Sequence, residues 1–162
     1  MKLLCSILLM IVFSGQVSGQ RRLELPFGLA FGMSPEQVTE AMKKLDIEEE
    51  PAMLAEYRFF SHVPVGHRFA TVNAIFNDKT LVLESLIEAF EESEDPLLEY
   101  DSMRVEAGAK YGKSTTRKRL DRETFSAQED WQFDDGVLTL SLAKSGVSLI
   151  FDQALPKRKS DK

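Results

Sequence analysis

LPFGLAFGMSPEQVTEAMKKL, residues 25–45, puts two glycines in an apolar run directly ahead of a helical pattern. Read one way it is a glycine-rich loop that cradles a phosphate; read the other it only starts a helix. The phosphate reading fails on its chemistry. A phosphate loop of the Walker kind ends in Gly-Lys-Ser/Thr, so that the lysine reaches the phosphates and the hydroxyl holds magnesium. Here Met33 follows Gly32, the next lysine is Lys43, and no G-x-G-x-x-G fingerprint is present. The helix-start reading fits residue by residue. Ser34 is an N-cap, Pro35 suits the first helical position, and Gln37 three residues on completes a capping box. Met33 and Val38 form the flanking hydrophobic staple. Val38, Ala41, Met42 and Leu45 recur at helical spacing and predict one buried face. Upstream, Phe27, Leu29 and Phe31 alternate with Gly28, Ala30 and Gly32, which predicts a short extended segment with a glycine side open to close approach.

Beyond Pro51 the period changes from helix to strand. AEYRFFSH (55–62) and HRFATVNAIF (67–76) flank VPVG (63–66) and predict a hairpin, with NDK (77–79) turning the chain into TLVLESLIEAF (80–90). Aromatic and β-branched residues dominate these segments, as sheets favour. Asp95-Pro96 then repeats the logic of Ser34-Pro35, 61 positions later. Tyr100, Met103, Ala107 and Tyr111 give a second helical stripe, and Gly112 stops it. The basic stretch KSTTRKR (113–119) predicts a solvated loop. Three strands follow, around Trp131 and Phe133, around Leu138, Leu140 and Leu142, and around Val147, Leu149 and Phe151, with turns at Asp135-Gly136 and Ser145-Gly146. Their clean alternation describes a sheet with one face on a core and one in water. The expected fold is therefore α+β: an antiparallel sheet with the helices on one face, arranged as a tandem α-β-β-β repeat with half-modules 25–92 and 93–155.

The ends of the chain bear on location. Residues 1–19, MKLLCSILLMIVFSGQVSG, have one positive charge, an apolar run from Leu3 to Phe13 and small residues at Val17-Ser18-Gly19, which predicts a signal peptide cleaved before Gln20. The apolar run is well short of the roughly 20 residues a spanning helix needs, so no membrane insertion of the mature chain is expected. The one cysteine, Cys5, lies inside that segment. The mature domain, 20–155, therefore has neither a disulfide framework nor a cysteine nucleophile or metal ligand. Residues 156–162 are expected to form a disordered basic tail. The chain carries 20 basic and 26 acidic side chains, net −6, which disfavours nonspecific nucleic-acid binding.

No catalytic set is recognisable. His62 and His67 would face each other across VPVG, but spacing identifies no third metal ligand. No serine sits in a Gly-x-Ser-x-Gly elbow. Glu91, Glu92, Glu94 and Asp95 cluster where a strand meets a helix N-terminus, which favours negative charge for structural reasons. Trp131 shares its strand face with Phe133 and is expected to anchor a core. The expectations are no enzyme activity, no cofactor and no metal.

GMSPEQV (32–38), followed by strands, resembles the start of small exported bacterial modules of the BamE/SmpA type. The helix-plus-sheet pattern is similar to the tandem architecture of the β-lactamase inhibitory protein. These resemblances imply a non-enzymatic protein that binds another protein across a sheet or its loops. The chain departs from the first in having no usable lipidation cysteine, and from the second in having no disulfides. The expected function is thus a secreted or periplasmic protein-binding module, envelope-associated, with a protein partner. The alternative is a small-ligand-binding exported protein, motivated by Tyr57, Phe59 and Phe60 on both faces of one strand.

Overall fold

A computed structural model describes residues 21–154 apart from 52, 53, 92 and 122. The expected signal peptide, its Cys5, Glu92 and the basic tail 156–162 lie outside the described residues. Helix α1 (Pro35–Lys43) begins as its sequence dictates. The Ser34 hydroxyl accepts from the Gln37 amide at 3.4 Å, and the Ser34 amide donates to Gln37 Oε1 at 2.9 Å. Val38 and Met42 are buried, Ala41 is half-buried, and Leu45 falls past the helix end and is half exposed. Leu45 therefore does not belong to the buried face expected for it: the helix stops at Lys43, and Asp46 turns the chain away with φ of 59°.

Upstream the chain is not extended. Pro26–Gly28 forms a single 3₁₀ turn in which Phe27 has φ of 59°. Gly32 has φ of 87°, and a Cβ there would meet nothing within 4 Å. Its role is a left-handed backbone angle, not a close approach. The close approach occurs at Gly136 instead, where a Cβ would lie 2.7 Å from the Asp152 carbonyl and 2.9 Å from Leu23 Cδ2. Ser34→Ala should lower stability by about 0.5–2 kcal/mol, the usual loss for an N-cap, and Gln37→Ala by less. Gly32→Val, which forces a β-branched residue to positive φ, should cost more than either. Thermal melting of the three variants checks this ranking.

Seven strands form one antiparallel sheet: β1 (Tyr57–Val65), β2 (Arg68–Phe76), β3 (Leu83–Phe90), β4 (Thr116–Asp121), β5 (Ser126–Gln132), β6 (Gly136–Ala143) and β7 (Gly146–Gln153), in the order β1-β2-β3-β7-β6-β5-β4. The first hairpin turns at Gly66-His67, with Val65 paired to Arg68, so VPVG is mostly strand. Pro64 is tolerated there because β1 is an edge strand and needs no second ladder of amide donors. The second correction is β4. The stretch expected as a basic loop pairs with β5 as the other edge, Thr116 opposite Asp130 and Lys118 opposite Gln128. Its side chains are almost all exposed, which erases the alternation by which strands are recognised. The second half of the chain therefore carries four strands after its helix.

Helix α2 (Pro96–Tyr111) is capped by Asp95, whose Oδ1 accepts from the Leu98 amide at 3.0 Å, and ends at Gly112 with φ of 82°. Its buried residues Tyr100, Met103 and Ala107 join one core with the inner sheet residues, and it packs on β6 and β7. Every fully buried residue of β2, β3, β5, β6 and β7 belongs to one face by register.

Candidate functional site

On the opposite face of the sheet the strands place no fully buried residue among the described residues. Strand pairing lines up Phe59, Asn73, Ile87, Ile150, Thr139, Asp130 and Thr116 in a single row crossing all seven strands. A second row beside it runs Tyr57, Ile75, Ser85, Asp152, Val137 and Gln132. None of these residues is buried. At the β1 end the row is aromatic: Tyr57 and Phe59 stack with ring centroids 6.0 Å apart, and Phe59 is 37% exposed. In the middle it is aliphatic, through Ile87 and Ile150. Toward β4 it is polar, with Asp130 Oδ1 accepting from Thr139 Oγ1 at 2.9 Å and Gln128 Nε2 at 2.8 Å. Asn73 sits between Phe59 and Ile87 with its Oδ1 buried and without a hydrogen-bond partner. The row thus has an apolar centre and a polar end on one continuous ladder.

The histidines are not opposed as expected. His62 sits at an irregularity of β1 between Phe60 and Val63, with φ of 54°, while His67 occupies the turn. His62 Nδ1 lies 2.7 Å from Glu91 Oε1 and its ring stacks on Phe69 at 5.1 Å. The bulge breaks the register that would have set the two rings face to face. Among the described residues, no three His, Cys, Asp or Glu side chains are grouped so as to hold a metal ion.

Trp131 is 2% exposed, and its Nε1 donates to the Gly112 carbonyl at 2.8 Å, tying β5 to the end of α2. It is a core anchor, as its alternation with Asp130 and Gln132 predicts. Phe133 meets Tyr111 edge-on at 5.7 Å. Tyr57 and Phe59 lie on the outer face and Phe60 is buried on the inner one, so the aromatics of YRFF do not share a cavity.

Two carboxylates escaped the sequence reading. Phe60, Val72, Glu88, Leu149, Leu140, Glu129 and Arg117 form one row on the buried face, and both glutamates are inside it. Glu129 Oε1 lies 2.9 Å from Arg117 Nε and 4.0 Å from Arg104 Nε, an ion pair without an aligned hydrogen bond. Burial first, and the Glu129 charge second, push the Tyr100 phenol up to about 12. Glu88 is 2% exposed, its Oε1 has no hydrogen-bond partner, and burial pushes its carboxyl up to about 7 against a weaker opposing pull from Lys110. The signal was present in LIEAF: counting back by twos from Phe90 puts Glu88 inside and Ile87 outside, the reverse of what polarity suggests.

No protein family matches this chain, and no curated protein and no solved structure is detectably similar to it.

Proposed function

We propose that this chain is an exported, secreted or periplasmic, non-catalytic module that binds another protein across the outer face of its sheet. The observation that carries the reading is the row from Phe59 to Thr116, apolar at its centre, exposed at its two ends and half-buried between them. The signal-like residues 1–19 and the resemblance of residues 32–38 to envelope-associated binding modules support it. In this reading both helices cover the inner face and leave the outer one for the partner, and the two helix-led halves descend from a duplication. The sheet order supports the duplication: the last strands of the two halves, β3 and β7, pair at the centre.

Affinity capture from native extracellular or periplasmic extract, with the mature chain at low-micromolar concentration, tests the proposal. Recovery of a stoichiometric protein partner is expected. Ile87→Thr combined with Ile150→Thr, which keeps strand propensity while removing apolar contact area, should abolish recovery with the melting temperature nearly unchanged. Recovery of no partner, or equal recovery with the double variant, would count against the reading.

A further inference from the structure

A cavity of about 190 Å³ lies between α2 and the sheet, on the opposite side from the proposed docking face. Leu149 and Phe151 of β7 form its floor, Met103 and Ala107 of α2 its roof, and Pro26 adjoins it. Glu88 is set into the sheet side of this lining, and its Oε1 is buried without a hydrogen-bond partner. The other ionisable side chains of the lining are Glu106, Lys110 and Tyr111, all on α2. Glu106 is occupied by Arg68, at 2.9 and 3.1 Å, and by the Ser102 hydroxyl at 3.1 Å. Lys110 Nζ lies over the Tyr111 ring, 4.9 Å from its centre. Within the described residues Glu88 makes no ion pair and its Oε1 no hydrogen bond, although Lys110 is near enough to pull weakly on its charge.

A buried polar group without a partner destabilises the fold unless something in use compensates it. We propose that the cavity binds a small apolar molecule carrying one amine, whose ammonium docks on the Glu88 carboxylate. The volume suits one ring with a short arm, since an apolar cavity of about 150 Å³ takes a benzene-sized molecule. The charge suits an amine, because a buried carboxylate is satisfied best by a charged donor. Because burial pushes the Glu88 carboxyl up to about 7, the site is charged above neutral pH and uncharged below it. The amine itself, with a pKa near that of lysine, about 10.4, stays protonated throughout.

Benzylamine and benzyl alcohol are the probes, titrated into the full mature chain and followed by amide NMR. Benzylamine is expected to shift resonances of β3 and of the α2 segment 103–111, and to bind about tenfold more tightly at about pH 8 than at about pH 5.5. Glu88→Gln should weaken benzylamine about tenfold while leaving benzyl alcohol unchanged. Ala107→Leu, which fills the cavity, should remove both. Benzylamine binding equally to the Glu88→Gln variant, shifts confined to the outer sheet face, or no shifts at all would each overturn the inference. A water-filled cavity gives that last result. The proposal stands or falls independently of protein binding, because the outer-face variant Ile87→Thr/Ile150→Thr should leave benzylamine affinity unchanged.

Discussion

Replacing Trp131 by alanine should lower the unfolding free energy by about 3–5 kcal/mol, the range for deleting a large aromatic side chain from a core. The indole is 2% exposed and sits in a row with Arg58, Ala74, Leu86, Phe151 and Leu138, so the neighbours cannot all close the void. Its loss also leaves the Gly112 carbonyl without the 2.8 Å donor that ties it to β5. Trp131→Phe separates the two effects. It retains most of the apolar volume, loses the hydrogen bond, and should cost about 1–3 kcal/mol, the loss of one hydrogen bond plus a small void. Urea unfolding followed by circular dichroism measures both. A tryptophan kept for stacking on a ligand would behave otherwise: the alanine variant would unfold at nearly the wild-type urea concentration.

Glu88→Gln should raise stability, and by an amount that depends on pH. The ordinary glutamate value of 4.5 is raised to about 7 in the folded chain. Below pH 4.5 the carboxyl is protonated in both states and contributes no difference. Between 4.5 and 7 the unfolded chain releases the proton that the folded chain retains, so stability falls as pH rises. Above about 7 the full difference applies, about 3 kcal/mol at 1.36 kcal/mol per unit. Glutamine does not titrate. Its stability curve should therefore lie close to that of the wild type near pH 4 and above it by up to about 3 kcal/mol near pH 8. Denaturant midpoints across that window measure the gap. A gap that is constant with pH, or that widens toward acid, would show that Glu88 keeps its ordinary ionisation.

What was legible in the sequence is what is decided locally. Ser34 with Pro35 and Gln37, and Asp95 with Pro96, satisfy amides within three residues of themselves, so both helix starts can be read without any tertiary contact. The alternation of Leu138, Leu140 and Leu142 is equally explicit, because β6 lies between two partners with one face on the core. The misreadings came where the tertiary fold decides. Edge strand β4, TRKRLD, has a partner on one side only and exposes most of its side chains, so its charges carry no period. Such charges on a free edge also oppose pairing with other chains. Phe27 to Gly32 mimics an alternating strand, yet backbone angles of 59° at Phe27 and 87° at Gly32 make it a sequence of turns.

The candidate surfaces were harder still. The outer row from Phe59 to Thr116 draws one residue from each of seven strands, spread from position 59 to position 150 of the sequence. No local window contains it; only the register assembles it. Glu88 was hidden for a different reason. One charged residue among Leu86, Ile87, Ala89 and Phe90 reads as the solvent side of a strand until the pairing Val72–Glu88–Leu149 fixes which side is inside.

Site-specific crosslinking addresses the docking claim most directly. A photo-reactive amino acid in place of Ile87, in the middle of the outer row, is compared with the same group in place of Val105, which is 62% exposed on α2. Illumination in native extracellular or periplasmic extract should join a protein partner to the chain from position 87 and not from position 105. Crosslinks from position 105 with none from position 87 would contradict the account.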